Sequence, residues 1–183
     1  MREKAVCIRY CRQLNERQEE QVFFLLKETD AEFVPPLSAR ESTTQTDLSQ
    51  GTKTYEQREP ITYFRELRKQ EFLLAEEADR ILGFLSFTSD REMELSGKHF
   101  SALYISTIAV GKAYRRRGIA GQLYDELLRR FGERTIVTRT WSTNRGHIHL
   151  LRNLNFTLLE TIENDRGNGI DTVYYGRIKS YEE

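Results

Sequence analysis

Apolar residues recur along this chain in two rhythms, one with period two and one with period near 3.6, and the alternation between them sets out the elements. Ala5 to Leu14 alternates loosely and predicts a first strand. Asn15, with Gln18 three residues on, has the form of a capping box and predicts a helix start. Val22, Phe23, Leu25 and Leu26 carry that helix toward Thr29, and Pro35 and Pro36 end any helix before them. Ser38 to Pro60 is rich in Ser, Thr and Gln, and predicts a long loop, either a substrate-side lid or a connector. Ile61 to Gln70 predicts a short helix with Phe64 and Leu67 on one face. Glu71 to Ala78 and Ile81 to Thr88 read as a hairpin turning at Asp79-Arg80, with Gly83 marking a bulge or a close approach. Asp90 to Lys98 reads as a polar connector and Phe100 to Val110 as a long strand. Gly118 to Phe131 predicts a helix with Ile119, Leu123, Leu127 and Phe131 four apart, stopped by Gly132. Thr135 to Trp141 predicts a strand and Asn144 to Leu154 a helix; Phe156 to Ile162 and Ile170 to Ile178 predict two strands around the turn-rich segment 164–169.

The order is therefore β-α-(loop)-α-β-β-β-α-β-α-β-β, a mixed sheet with helices on its faces and an α/β fold class. No internal repeat or break in composition demands a second domain, so residues 1–183 read as one domain with room for a real core. Lys+Arg and Asp+Glu both number 28, and this neutrality argues against a general nucleic-acid binder. Cys7 and Cys11, four residues apart on a strand, would lie about 13 Å from one another at about 3.3 Å per residue, too far for a disulfide. No Cys/His group has metal-ligand spacing, which predicts no metal. The first residues contain no apolar signal-peptide core, and the most apolar stretch, Ile81 to Phe87, is too short to span a membrane. The expectation is a soluble, reduced, cytoplasmic protein with no membrane or nucleic-acid partner.

Charge is uneven within this neutral chain. Lys112 to Arg130 holds six basic residues (Lys112, Arg115, Arg116, Arg117, Arg129 and Arg130) against two acidic ones, Asp125 and Glu126. Such a stretch suits a small anionic ligand, or is simply a solvated basic face. At its start an apolar strand, Leu103 to Val110, runs into Arg115-Arg116-Arg117, then small residues Gly118, Ala120 and Gly121, then a helix. A helix start carries unpaired N–H groups and the positive end of the dipole. Gly and Ala let a ligand approach that backbone closely, so the joint is suited to a phosphate or pyrophosphate.

Arg115-Arg116-Arg117-Gly118-Ile119-Ala120 fits the pattern Gln/Arg-x-x-Gly-x-Gly/Ala, preceded by Ile108-Ala109-Val110, while Asn144, Leu150 and Phe156 match Asn-x-x-Ala-x-x-Leu-Tyr-x-x-x-Gly-Phe in spacing. In these features the chain resembles the GNAT superfamily of N-acetyltransferases, most strongly over residues 103–156. The resemblance implies a mostly antiparallel sheet flanked by helices on both faces, with a cofactor core at about 100–160 and residues 29–70 toward the acceptor. It implies acetyl-CoA as co-substrate and an amine acceptor on a small molecule or peptide, with direct attack and no covalent enzyme intermediate. Backbone groups of Ile108, Ala109 and Val110 would pair with the pantetheine arm as an added strand. Arg115, Arg116, Arg117, Gly118, Ile119, Ala120 and Gly121 would hold the pyrophosphate, and Asn144 would bond near the pantetheine or simply cap its helix.

The chain departs from the family where the chemistry is decided. The family's tyrosine acid falls on Leu151, and the glutamate found five residues before the asparagine in some members falls on Arg139. The strand before the loop offers Tyr104, Ser106 and Thr107 but no carboxylate. His147, one turn before Leu151, is a candidate acid or a residue that packs on the cofactor. Tyr104 is a second catalytic candidate or a core aromatic. Arg139 suits an acidic substrate and Trp141 a ring or cation, although either also suits packing on a strand face. The rival expectation is an acyl-CoA-binding sensor or degenerate acetyltransferase without turnover. A monomer and a homodimer both remain open.

Overall fold

A computed structural model describes residues 5–49 and 59–179. Seven strands form one sheet: β1 (Cys7–Cys11), β2 (Glu71–Glu77), β3 (Arg80–Leu95), β4 (Lys98–Val110), β5 (Ile136–Trp141), β6 (Thr157–Ile162) and β7 (Thr172–Arg177). Their spatial order is β1-β2-β3-β4-β5-β7-β6. Every neighbouring pair is antiparallel except β4 with β5, which run parallel. The element order is the one the apolar rhythm predicts. Of the expected loop 38–60, residues 50–58 lie outside the described residues, as do Met1–Lys4 and residues 180–183.

Helix α1 (Glu16–Thr29) opens on the expected capping box: the Asn15 side chain accepts from the Gln18 N–H at 2.9 Å, and the Gln18 side chain accepts from the Asn15 N–H at 3.0 Å. Its buried face is Val22, Leu25 and Leu26. Helix α2 (Ile61–Leu67) is shorter than expected and buries Tyr63 and Leu67, four apart, leaving Phe64 at its side against Phe23 with ring centroids 5.1 Å apart. Both helices cover one face of the sheet, over Phe72, Leu74, Phe84 and Ala109. Helices α3 (Ile119–Phe131) and α4 (Arg145–Asn153) cover the other, over Leu73, Leu85, Leu103, Ile105 and Ile136.

One predicted connector is a strand. Residues 90–95 continue β3, and the hairpin closes tightly at Ser96-Gly97, with φ of 49° and 73° and Leu95 opposite Lys98. Two consecutive left-handed residues match the twist a hairpin requires. Met93 and Leu95 alternate inward between exposed Glu92 and Glu94, and two apolar residues were too few to reveal the period.

Two irregularities shape the middle of the sheet. Phe87 faces Ile105 while Ser86 faces Thr107, so Ser106 is an extra residue bulged out of β4. Before the bulge, Leu103 and Ile105 face α3; after it, Ile108 and Val110 do, and Ala109 turns to the α1 side. The expected close approach at Gly83 is present, since a Cβ built there would lie 2.8 Å from the Ala109 carbonyl oxygen. Gly83→Ala is therefore expected to cost about 1–3 kcal/mol of stability in urea titration, by forcing β3 away from β4. An unchanged midpoint would show that the two backbones tolerate separation.

Candidate active site

The parallel pair β4–β5 is bonded over only three residues, Leu103–Ile105 against Ile136–Thr138. The Thr138 hydroxyl donates to the Ile105 carbonyl at 3.2 Å, and beyond that point the strands separate, although β4 continues to Val110 and β5 to Trp141. The Gly111 N–H donates to the Leu82 carbonyl, so by alternation the peptide groups of Val110 and Ile108 turn away from β3 into the gap. A cavity of about 430 Å³ occupies the split, and Ser106 to Val110 form one wall. The Ser106 hydroxyl is buried there without a hydrogen-bond partner.

The basic loop lies at one end of the gap, and two of its three arginines are already paired. Arg115 donates to Glu32 at 2.6 Å and to the Val110 carbonyl at 3.3 Å; Arg117 meets Glu77 at 2.7 Å; Arg129 and Arg130 both bind Glu126 at the far end of α3. The positive excess read from the sequence is thus largely paired, and the loop's capacity for an anion resides in its backbone. Arg116 and Gly118 take left-handed φ of 62° and 71°, and Gly118, at the helix N-cap, has no side chain to cap the first turn. Among the described residues the N–H groups of Ile119, Ala120 and Gly121 have no bonded partner.

On the α3–α4 side, Asn144 does cap α4: its Oδ1 accepts from the His147 N–H at 3.4 Å while its Nδ2 donates to Thr140 Oγ1 at 3.0 Å. His147 faces the cavity, and its Nε2 lies 2.8 Å from the Tyr124 hydroxyl of α3. Burial pulls the imidazole down to about 4, so it is neutral near pH 7. Burial likewise pushes the Tyr124 phenol upward. Leu151 is 0 % exposed and belongs to the main core.

On the α1 side, Tyr104 is 1 % exposed, packs with Val137 and Tyr174, and has the Arg91 guanidinium 4.4 Å from its ring centre. Tyr104 is not among the residues lining the cavity, which favours its core role. The residues that line this side include Glu32, Phe33, Arg40, Arg139, Trp141 and Arg166. Arg139 and Trp141 share one face of β5, as their spacing required. Arg40, Arg166 and Tyr124 were not singled out from the sequence, because no local pattern links a loop arginine at 40 or 166 to a strand near 139. Among the described residues no three His, Cys, Asp or Glu side chains group to hold a metal, and no helix is long and apolar enough to cross a membrane.

A split sheet with a helix N-terminus at the mouth of the gap defines a class of α/β protein that can take an extended, phosphate-bearing ligand between two strands. The model of the acetyltransferase (GNAT) family matches residues 40–156, more than half of the chain, and the chain belongs to that family. No curated relative matches the sequence. Solved structures share the fold. An N-acetyltransferase from Staphylococcus aureus is 20 % identical, with 96 % of this chain and 99 % of that one covered and a TM-score of 0.62. Arabidopsis thaliana NAA60, in complex with a bisubstrate analogue, is 16 % identical over 94 % of this chain and 97 % of its own, at 0.63. Salmonella typhimurium yncA, with its cofactor acetyl-CoA, is 16 % identical over 98 % and 96 %, also at 0.63.

The lowered His147 pKa has a measurable consequence. Unfolded, the ring takes up a proton near pH 6.5; folded, it does so only near pH 4. Stability is therefore complete above that window and falls as pH drops through it, by at most about 1.4 kcal/mol per unit. The melting temperature of the wild type is expected to decline from pH 6.5 to pH 4 more steeply than that of His147→Gln. Parallel curves would show that His147 is not held neutral.

Proposed function

We propose that this chain is an N-acetyltransferase that moves an acetyl group from acetyl-CoA to a primary amine of a small molecule or peptide, and that residues 1–183 act as one domain with 29–70 toward the acceptor. The observation that carries the reading is the gap between β4 and β5, with strand-edge groups that no neighbouring strand pairs along one wall and an uncapped helix start at its mouth. The residues fit such a donor: Ile108 and Val110 offer main-chain partners to an amide-bearing arm, Ala109 carries the backbone between them, and the first-turn N–H groups of Ile119, Ala120 and Gly121 would receive a pyrophosphate. Bound there, acetyl-CoA would supply an activated thioester.

A peptide N–H on this edge of β4 would polarise the carbonyl under attack. As the C–N bond forms and the C–S bond breaks, the proton shed by nitrogen is the one that sulfur acquires, so the net reaction needs no permanent acid. His147, neutral and turned to Tyr124, acts as a wall and orienting group more readily than as an acid. Asn144, with both side-chain ends engaged, shapes the same wall. A donor-binding protein without turnover is the second reading, favoured by the apolar core position of Leu151.

Calorimetric titration with acetyl-CoA tests the donor site. Gly118→Glu is expected to weaken binding by roughly 100-fold or more, because it sets a carboxylate beside the phosphates. Gly118→Ala controls for backbone strain: it loses about 1 kcal/mol of stability at the left-handed position yet still binds. A folded Gly118→Glu protein with wild-type affinity would remove the loop from the donor site. If acetyl-CoA binds but no amine releases its thiol, the second reading replaces the first.

A further inference from the structure

Three arginines meet on the α1 side of the cavity, and among the described residues no carboxylate is paired to any of them. Arg40 follows a short 3-10 turn, Leu37–Ala39; Arg139 comes from β5; Arg166 comes from the β6–β7 connection. Arg40 is 7 % exposed and Arg166 3 %, and all three line the cavity. Among the described residues none forms a salt bridge.

Their partners are neutral and few. Arg40 donates twice to the Pro35 carbonyl, at 3.1 and 2.8 Å. Arg139 donates to the Gln45 carbonyl at 2.6 Å and more weakly to the Tyr174 hydroxyl at 3.4 Å. Arg166 donates to Thr172 Oγ1 at 2.9 Å and to the Val34 carbonyl at 2.6 Å. A guanidinium has five N–H donors, so each retains capacity. The nearby carboxylates are occupied: Asp30 holds the Ser38 N–H and hydroxyl, Asp165 accepts from the Thr172 hydroxyl, and Glu32 is taken by Arg115 and Lys112. The arginines feel one another, since burial and then the charges of Arg40 and Arg139 bring Arg166 down to about 9. Asp30 and Asp165 temper the charges of Arg40 and Arg166 without pairing with them, so burying three guanidiniums together stays costly unless an anion completes the group.

Packing holds the cluster ready for one. The Arg40 guanidinium lies 5.8 Å from the Phe33 ring centre and that of Arg166 lies 5.9 Å from the Trp141 ring centre, while Phe33 and Trp141 pack together at 5.7 Å. A guanidinium held beside a ring is restricted in orientation, which lowers the cost of gripping an oxyanion in two places.

We propose that the acceptor is a small amine that also carries a carboxylate or phosphate group, and that Arg40, Arg139 and Arg166 bind that anion. The inference rests on the acetyltransferase reading and specifies its substrate class. Size supports a small acceptor: the cavity of about 430 Å³ must take the acetyl end of the donor as well.

Matched amine pairs provide the test on the wild-type protein with acetyl-CoA: glycine against glycinamide, β-alanine against β-alaninamide, O-phosphoethanolamine against ethanolamine. Thiol release should favour the anionic member of at least one pair by roughly 50-fold or more in kcat/KM. Arg139→Gln and Arg40→Gln should raise KM for that amine while leaving acetyl-CoA affinity, read by calorimetry, near wild type. In parallel, malonate and O-phosphoethanolamine should raise the melting temperature of the acetyl-CoA-loaded protein, and less so in either variant. Equal or better use of the neutral members, or no stabilisation by either anion, with acetyl-CoA still bound, would overturn the anionic-acceptor assignment and leave the donor site standing. Loss of acetyl-CoA binding by the wild type would overturn both. A variant that also loses acetyl-CoA is misfolded, and the wild-type comparisons then decide alone.

Discussion

The architecture depends on a limit to one strand pairing. Parallel strands β4 and β5 share three residue pairs and no more. Full pairing to Val110 and Trp141 would satisfy more backbone groups but close the sheet. The bulge at Ser106 and the turn of β4 toward Gly111 hold the strands apart, and the cost is an edge at Ile108 and Val110 whose peptide groups have no partner strand, the Val110 carbonyl taking Arg115 instead. That edge is a binding surface in the way any open sheet edge is, with a difference: helices on both faces enclose it, so another sheet cannot reach it but a narrow extended ligand can.

Because the gap cuts through the sheet, it joins two chemically different sides. The α3–α4 side presents backbone donors, small residues and a neutral histidine. The α1 side presents aromatic rings and three cationic arginines. Side-chain alternation on β5 enforces this division. Thr138 and Thr140 face α3 and α4, while Arg139 and Trp141 face Phe33 and Arg40. One strand thus supplies a wall to each compartment, and a one-residue slip in its register would exchange them.

The parts legible in the sequence are those built from local repeats: the element order, the α1 capping box, the four-residue spacing of α3 and the strand–loop–helix joint. Where the fold was misread, the signal was non-local or too short. Residues 90–95 carry only Met93 and Leu95 as inward apolar positions, so their alternation was hidden among charges. Asn155 occupies the glycine position of the family pattern and adopts φ of 61°, which asparagine tolerates. In the site, charge counting along the chain draws attention to Arg115–Arg117 and passes over Arg40 and Arg166. Those at 115–117 are adjacent in sequence, yet Arg115 and Arg117 are paired with Glu32 and Glu77 in space. Arg40, Arg139 and Arg166 are dispersed in sequence and converge only through the fold.

The same arginines bear on the two catalytic groups missing from the pattern. An amine attacks only when neutral, and enzymes commonly set a carboxylate beside it to take the proton. Among the described residues one carboxylate lines the cavity, Glu32, and it is held by Arg115 and Lys112. A carboxylate aimed at the amine would also be drawn to unpaired guanidiniums a few ångströms away and would quench them. A cationic pocket offers another route. Positive charge in a partly desolvated site disfavours an ammonium ion and lowers its pKa, while an anionic group elsewhere on the same molecule is drawn in. With three guanidiniums against one bound anion, positive charge remains to act on the amine. Binding and deprotonation would then arise from a single electrostatic feature, and arginine in place of glutamate at position 139 would be part of the chemistry, not a loss of it.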